Sequence, residues 1–230
     1  MSNGAFDPKW PRLLSLSVHE FRTPMTVVSG YVRMLLKDRA GPLSDPQRKL
    51  LEEAEKSCAR LSALLAEMSE LSNLEAGTAP FNRSRVDLRA LLSDAIASLP
   101  ETPDRDVRVE LSTGQGTATI DADPARLKTA LASLLNALRR ELVTSSELRV
   151  YEQTRRRDGR MESWIAVAAA DRVAALQASA PDALATFDEW RGGCGLSLAI
   201  ARRVIEAHGG RLWSPAEDAK AGAVAMFPVP

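Results

Sequence analysis

The sequence predicts an α+β chain: an N-terminal helical hairpin suited to a dimeric four-helix bundle, followed by an α/β sandwich. Three observations carry this. Apolar residues recur at Leu14, Val18, Phe21, Met25, Val28, Val32 and Leu35 in alternating steps of four and three, the seam of a bundled helix. A second stripe at Leu51, Ala54, Cys58, Leu61, Leu65 and Met68 has similar spacing. From Val86 the pattern turns into alternating helix and strand, the order of a layered α/β arrangement with helices on one face of a mixed sheet.

Between the two stripes, Gly41-Pro42 makes a turn, and Ser44-Asp45-Pro46 starts a helix with proline in its first turn. The second helix continues to about Leu74-Glu75, before Gly77. Two long helices with one apolar stripe each bury those stripes poorly as an isolated pair, so a homodimer through residues 10–75 is expected. Residues 1–76 then form the first domain. Residues 77–85, with Gly77 and Pro80, read as a linker, and residues 86–230 as the second domain. In that domain helices are expected near Leu88 to Leu99, Pro124 to Leu142 and Leu196 to Ala207. Strands are expected near Val107 to Leu111, Thr117 to Asp121, Leu148 to Thr154, Ser163 to Ala170, Arg211 to Ser214 and Ala223 to Pro228. Ile165, Val167, Ala169 and Asp171 alternate like a half-buried strand ending in an acid.

A chain of 230 residues buries a core without staples. Its 30 basic and 30 acidic residues cancel, which gives no support to a nucleic-acid partner or an anionic membrane surface. Arg155-Arg156-Arg157 before Asp158-Gly159 reads as a solvated hairpin tip. No apolar run approaches the roughly 20 residues of a membrane helix, and no signal peptide is present. Cys58 on the helix seam and Cys194 in a glycine-rich stretch suggest reduced thiols in the cytoplasm.

The chemistry begins at Ser17-Val18-His19-Glu20-Phe21-Arg22-Thr23-Pro24. His19 lies beside the seam, not within it. A neutral imidazole attacks through one ring nitrogen while the other carries the proton, and Glu20 is placed to accept that proton's hydrogen bond. Thr23, four residues on, shares a helix face with His19. Pro24 removes a backbone donor just past this turn. A zinc protease would need H-E-x-x-H, and position 23 is threonine.

This run resembles the phosphoacceptor motif H-E-x-R-T-P of two-component sensor histidine kinases, without a mismatch. The resemblance implies phosphorylation of His19 on a ring nitrogen, with Glu20 as hydrogen-bond partner or base and Thr23 positioning water in a phosphatase step. It also implies a response regulator receiver domain as partner. The second domain is similar to the ATP-binding domain of this family, related to gyrase and the heat-shock chaperone ATPase, which takes ATP with Mg2+. Gly192-Gly193-Cys194-Gly195-Leu196-Ser197-Leu198-Ala199-Ile200 resembles the second glycine box, with Ser197 in place of one glycine. Glycines ahead of a helix start let amides approach phosphates, so Gly193, Gly195 and Leu196 are candidate nucleotide contacts. His208 is expected at a helix end with no catalytic part.

The remaining boxes depart from the family pattern. The asparagine that binds magnesium should fall at position 137, which is alanine. Asn136-Ala137-Leu138-Arg139 matches N-A-x-R one residue early, making Asn136 a candidate metal ligand and Arg139 a nucleotide contact. One residue turns a helix position by about 100°, so the two registers exclude one another. Asp171 stands where the family's aspartate accepts from the adenine amino group, but both glycines of D-x-G-x-G-I are absent. Phe187-Asp188-Glu189-Trp190 resembles the aromatic box, yet only Arg191 and Gly192 separate it from Gly193, leaving no room for a long lid. Losing two or three contacts of roughly 1 to 3 kcal/mol each would weaken a micromolar binder by orders of magnitude. Three readings follow. One is a kinase that autophosphorylates His19 with Mg-ATP and passes the phosphoryl group to a regulator aspartate. Another is a degenerate kinase acting in phosphotransfer, dephosphorylation or regulator docking. The third is a purely structural dimerisation bundle.

Overall fold

The computed structural model describes residues 9–101, 107–116, 118–143, 145–193, 195–218 and 222–230. Thr117 and Cys194, which figured in the expected strand and glycine box, lie outside them. The chain divides into two compact units, Met1–Ala79 and Pro80–Pro230.

The first unit is a hairpin of α1 (Lys9–Leu36) and α2 (Asp45–Glu75). The turn is held by Arg48, which donates to both carboxylate oxygens of Asp38 at 2.8 and 2.9 Å and to the Leu36 carbonyl at 3.0 Å. That last bond satisfies a carbonyl at the end of α1 that no helical amide reaches. Gln47 accepts from the Ser44 amide at 2.9 Å, which caps α2. At the open end the Ser72 hydroxyl donates to the Pro11 carbonyl at 2.8 Å. Leu14, Val18 and Val32 are buried against Cys58 and Leu65. The expected seam is split, however: Phe21, Val28 and Leu61 are 60%, 49% and 49% exposed. A stripe with alternating steps of three and four is wide enough to face two neighbours, and one hairpin supplies only one.

The second unit is built on a six-stranded sheet in the order β2-β4-β5-β8-β7-β6. Its strands are β2 (Arg108–Thr113), β4 (Glu147–Arg157), β5 (Arg160–Ala169), β6 (Leu184–Thr186), β7 (Arg211–Pro215) and β8 (Gly222–Val229). β2 runs parallel to β4, and every other pairing is antiparallel. The inner face packs against α3 (Leu88–Ala97), α4 (Pro124–Glu141) and α6 (Ser197–Ala207). There Leu92, Leu127, Leu131, Leu134 and Ile205 meet Val150, Ile165 and Val167 in the main core.

Three elements were not expected from the sequence. β1 (Ser84–Asp87) pairs antiparallel with β3 (Thr119–Ala122), in part of the stretch assigned to a linker. It offers a single apolar residue, Val86, so periodicity could not show it. β6 is three residues long and pairs with β7. The third, α5 (Val173–Ala178), lies on the outer face, where Val173 and Leu176 pack with Trp164, Ala166, Ala168 and Val224. β5 is therefore buried on both faces from Ser163 to Ala169 rather than half-buried. Alanines at the alternate positions leave room for the covering helix.

Asp123 joins the start of α4 to the end of α6. Its carboxylate accepts from the amides of Arg126 at 3.0 Å and Asn82 at 2.8 Å, capping α4 and fastening residue 82 to the second unit. Its own amide donates to His208 Nε2 at 2.9 Å, while Nδ1 lies 2.7 Å from the Val204 carbonyl. These partners require a neutral imidazole protonated at Nδ1. Burial alone would raise the Asp123 carboxyl, but the Arg126 and Asn82 amides outweigh it and hold it below the ordinary value. Burial pushes His208 below the ordinary imidazole value, with Arg83 adding to the effect. The stability this junction contributes is present above the ordinary pKa of about 6.5 and is lost as pH falls through the lower folded value. Urea unfolding of the second unit should show declining stability between about pH 7.5 and about pH 5.5. His208→Asn should lower stability by about 1 to 3 kcal/mol at neutral pH and flatten that slope.

Candidate functional site

His19 lies in the middle of the exposed polar face of α1, which continues unbroken through Pro24. Pro24 has no amide hydrogen, so the Glu20 carbonyl lacks its usual helical donor. Positions three, four and seven away bring Arg12, Ser15, Leu16, Arg22, Thr23 and Thr26 around the imidazole, all exposed and, but for Leu16, polar. This face is separate from the row buried against α2 and from the exposed apolar row of Phe21 and Val28. Among the described residues no hydrogen bond engages the His19 ring, leaving its nitrogens open to an incoming electrophile. Thr23 shares the face with His19, as its spacing required. Glu20 does not join them in a hydrogen bond, because adjacent helix residues point about 100° apart.

In the second unit the candidate nucleotide residues are dispersed. Asn136 and Arg139 line two neighbouring clefts at the end of α3, which share Leu99 and Pro100. Arg139 donates to Asn136 Oδ1 at 3.1 Å and to the Pro100 carbonyl at 2.7 Å, so the amide oxygen sought as a metal ligand already has a partner. Burial lowers the Arg139 pKa from its ordinary value. Ala137, in the register the family spacing indicates, is 1% exposed and has no oxygen to offer.

Asp171 lines a different cleft, of about 530 Å3, with Ala168, Ala175, Leu176 and residues 215–218. Ala168 belongs to the outer face of the sheet, away from α4 and α6. The sequence after Asp171 explains the change of side: Val173 and Ala175 stand where a nucleotide loop would carry glycine, and the apolar Val173 and Leu176 seat α5 on the outer face. Val173 is helical there, so it bears none of the strain expected of it in a glycine position.

Gly193 and Gly195 do adopt the left-handed conformation, φ +60° and +61°, that favours glycine. Leu196 follows as the first-turn cap of α6, with no side-chain hydrogen bond to its amides. Just before these glycines stands Arg191, whose side chain is 1% exposed. It donates from Nε to the Glu141 carboxylate at 3.0 and 3.1 Å, and Nη2 contacts the same carboxylate. Nη1 donates to the Gly222 carbonyl at 3.0 Å. Phe187 of the aromatic box is buried beside this guanidinium, 5.7 Å away, whereas Trp190 is 68% exposed. Glu141 is one turn beyond Ala137 on the same face of α4, and sequence reasoning singled out neither Glu141 nor Arg191. The signal for them was faint: an acid ending one helix and a base 50 residues later. No group of three or more His, Cys, Asp and Glu placed to hold a metal occurs among the described residues.

Residues 12–77 match the His Kinase A (phospho-acceptor) domain. The circadian input-output histidine kinase CikA of Synechococcus elongatus is 28% identical over 205 residues, covering 86% of this chain and 27% of CikA. The adaptive-response sensory kinase SasA of a Synechococcus strain is 28% identical over 234 residues, covering 95% of this chain and 56% of SasA. Full-length ShkA, solved in complex with AMPPNP, matches with a TM-score of 0.64 and 25% identity over 96% of this chain and 46% of its own. AdeS of Acinetobacter baumannii shares the fold, with a TM-score of 0.51 and 15% identity over 92% of this chain and 96% of its own. These matches place the chain among the relatives of the two-component sensor histidine kinases, with the α+β kinase and ATPase-type fold. The chain spans 27% of CikA and 56% of SasA. Among the described residues no helix is long and apolar enough to cross a membrane.

Removing one partner of a buried ion pair strands the other charge, at a cost of about 3 to 5 kcal/mol. Arg191→Ala should therefore destabilise the second unit by about 3 kcal/mol in urea unfolding, and adding Glu141→Ala should recover part of that loss.

Proposed function

We propose that this chain is the phosphotransfer core of a two-component system, in which His19 exchanges a phosphoryl group with an aspartate of a response regulator. The observation that carries this reading is the exposed His19 ring on a face bearing Arg12, Arg22 and Thr23. A ring nitrogen attacks the phosphorus of the regulator's acyl phosphate, forming an N–P bond as the O–P bond breaks. In the reverse step a carboxylate oxygen attacks and the N–P bond breaks. Arg12 and Arg22 supply positive charge near the transferred group, which favours approach of the acidic receiver pocket. Thr23 is close enough along the helix to orient a water for dephosphorylation. Such an exchange places the chain in the cytoplasm. Phe21, Val28 and Leu61, left exposed by the hairpin, support homodimerisation through residues 10–75 into a four-helix bundle.

The second unit keeps the fold of an ATP-binding domain but, in this reading, not its chemistry. Its residues do not fit Mg-ATP: Asn136 is engaged by Arg139, Asp171 serves the outer face, and Arg191 with Glu141 fills the space between α4 and the glycine turn. A second reading, autophosphorylation of His19 by Mg-ATP, draws support from the left-handed Gly193 and Gly195 ahead of α6. The AMPPNP bound in the ShkA structure supports it too.

A panel of receiver domains charged with labelled acetyl phosphate separates these readings. Acid-labile, alkali-stable label should pass to the wild-type protein and not to His19→Gln, while calorimetry shows no heat with Mg-ATP up to millimolar. Label on His19 from Mg-ATP would establish the second reading, and none from either donor would overturn both. Sedimentation equilibrium should give a dimer that Phe21→Glu combined with Val28→Glu converts to monomer.

A further inference from the structure

The outer face of the sheet carries a cavity of about 620 Å3 whose lining includes Trp164, Trp213, Met226, Arg157, Arg160 and Arg211. Strand register builds its floor: Trp164 of β5 is opposite Met226 of β8, and Met226 is opposite Arg211 of β7. Trp213, two residues along β7 on the same face, has its ring centroid 5.7 Å from that of Trp164. The β4–β5 hairpin turns at Asp158 and Gly159, with φ +48° and +78°, and places Arg157 and Arg160 at the far end. One end of the cavity is thus apolar and flat, and its margin is cationic.

Two lining side chains carry buried polar atoms without a partner: Trp164 Nε1 lacks an acceptor and Glu162 Oε2 lacks a donor. Arg160 and Arg211 form no ion pair among the described residues, whereas Arg157 lies 3.6 Å from Asp158. The Arg155 guanidinium stacks 3.3 Å above the Trp164 ring and adds to the positive field. Asp158 and Glu162 on the same lining offset two of the three lining arginines. That balance suits a single negative charge and disfavours a polyanion such as a nucleic acid.

We propose that this cavity binds a small amphipathic monoanion. Its aromatic body lies against Trp213 and Met226, and its carboxylate or sulfonate head is held by Arg211. The site shares no residue with the His19 face or with the Asn136, Asp171 and Gly193 positions. Stacking on an aromatic side chain supplies affinity, and the guanidinium supplies selection for charge.

Naphthalene-2-sulfonate is a direct probe for the full chain, read by the indole N–H resonances of a 15N-labelled sample. The Trp213 and Trp164 signals should shift saturably, while those of Trp10 and Trp190 stay in place. Arg211→Glu and Trp213→Leu should each weaken binding at least tenfold, with the thermal midpoint of each variant verifying the fold. Uncharged 2-naphthol should bind at least tenfold more weakly than the sulfonate. Shifts confined to Trp10 or Trp190, equal binding of 2-naphthol, an unaffected Arg211→Glu variant, or no saturable shift up to millimolar probe would each overturn the proposal. So would tighter binding of a single-stranded oligonucleotide at the same resonances.

Discussion

The buried guanidinium of Arg191 ties together the end of α4, the strand β8 and the turn that leads into α6. It can be buried only because Glu141 neutralises it and the Gly222 carbonyl takes a further donor. A buried charge with these partners tolerates little displacement, which fixes the Arg191 side chain between α4 and β8. The same contact closes the inner face where α4 approaches that turn. An ion pair and a buried aromatic ring thus pack together between α4 and that turn.

The segment after Asp171 works from the other side of the sheet. Without glycines to form a loop, Val173 to Ala178 forms a short helix, and its apolar residues bury on Trp164, Ala166 and Ala168. β5 pairs with β8, and β8 presents the Gly222 carbonyl to which Arg191 donates. The fold itself rests on leucine and isoleucine packing on the inner face.

The hairpin has a different economy. Its helices bury Leu14, Val18 and Val32 against Cys58 and Leu65, and leave Phe21, Val28 and Leu61 facing outward. His19 belongs to neither apolar row, and three distinct faces of α1 therefore carry intrachain packing, an unpartnered apolar stripe, and the reactive imidazole. A helix of 3.6 residues per turn makes this division possible within a few turns.

Much of this was legible in the sequence. The hairpin, the longer strands of the sheet and the three inner-face helices follow from periodicity, because each presents a repeated apolar face. His19 and Thr23 could be assigned to one face from spacing alone, since helix geometry fixes what lies four residues apart. β1 and β6 were not legible, for strands of four and three residues carry too few apolar positions to show a period. The division of the α1 stripe between α2 and solvent, the side of the sheet taken by α5, and the pairing of Arg191 with Glu141 were decided only by the tertiary structure. In each case the outcome depends on which surfaces meet across long stretches of chain, and local pattern carries no record of that choice.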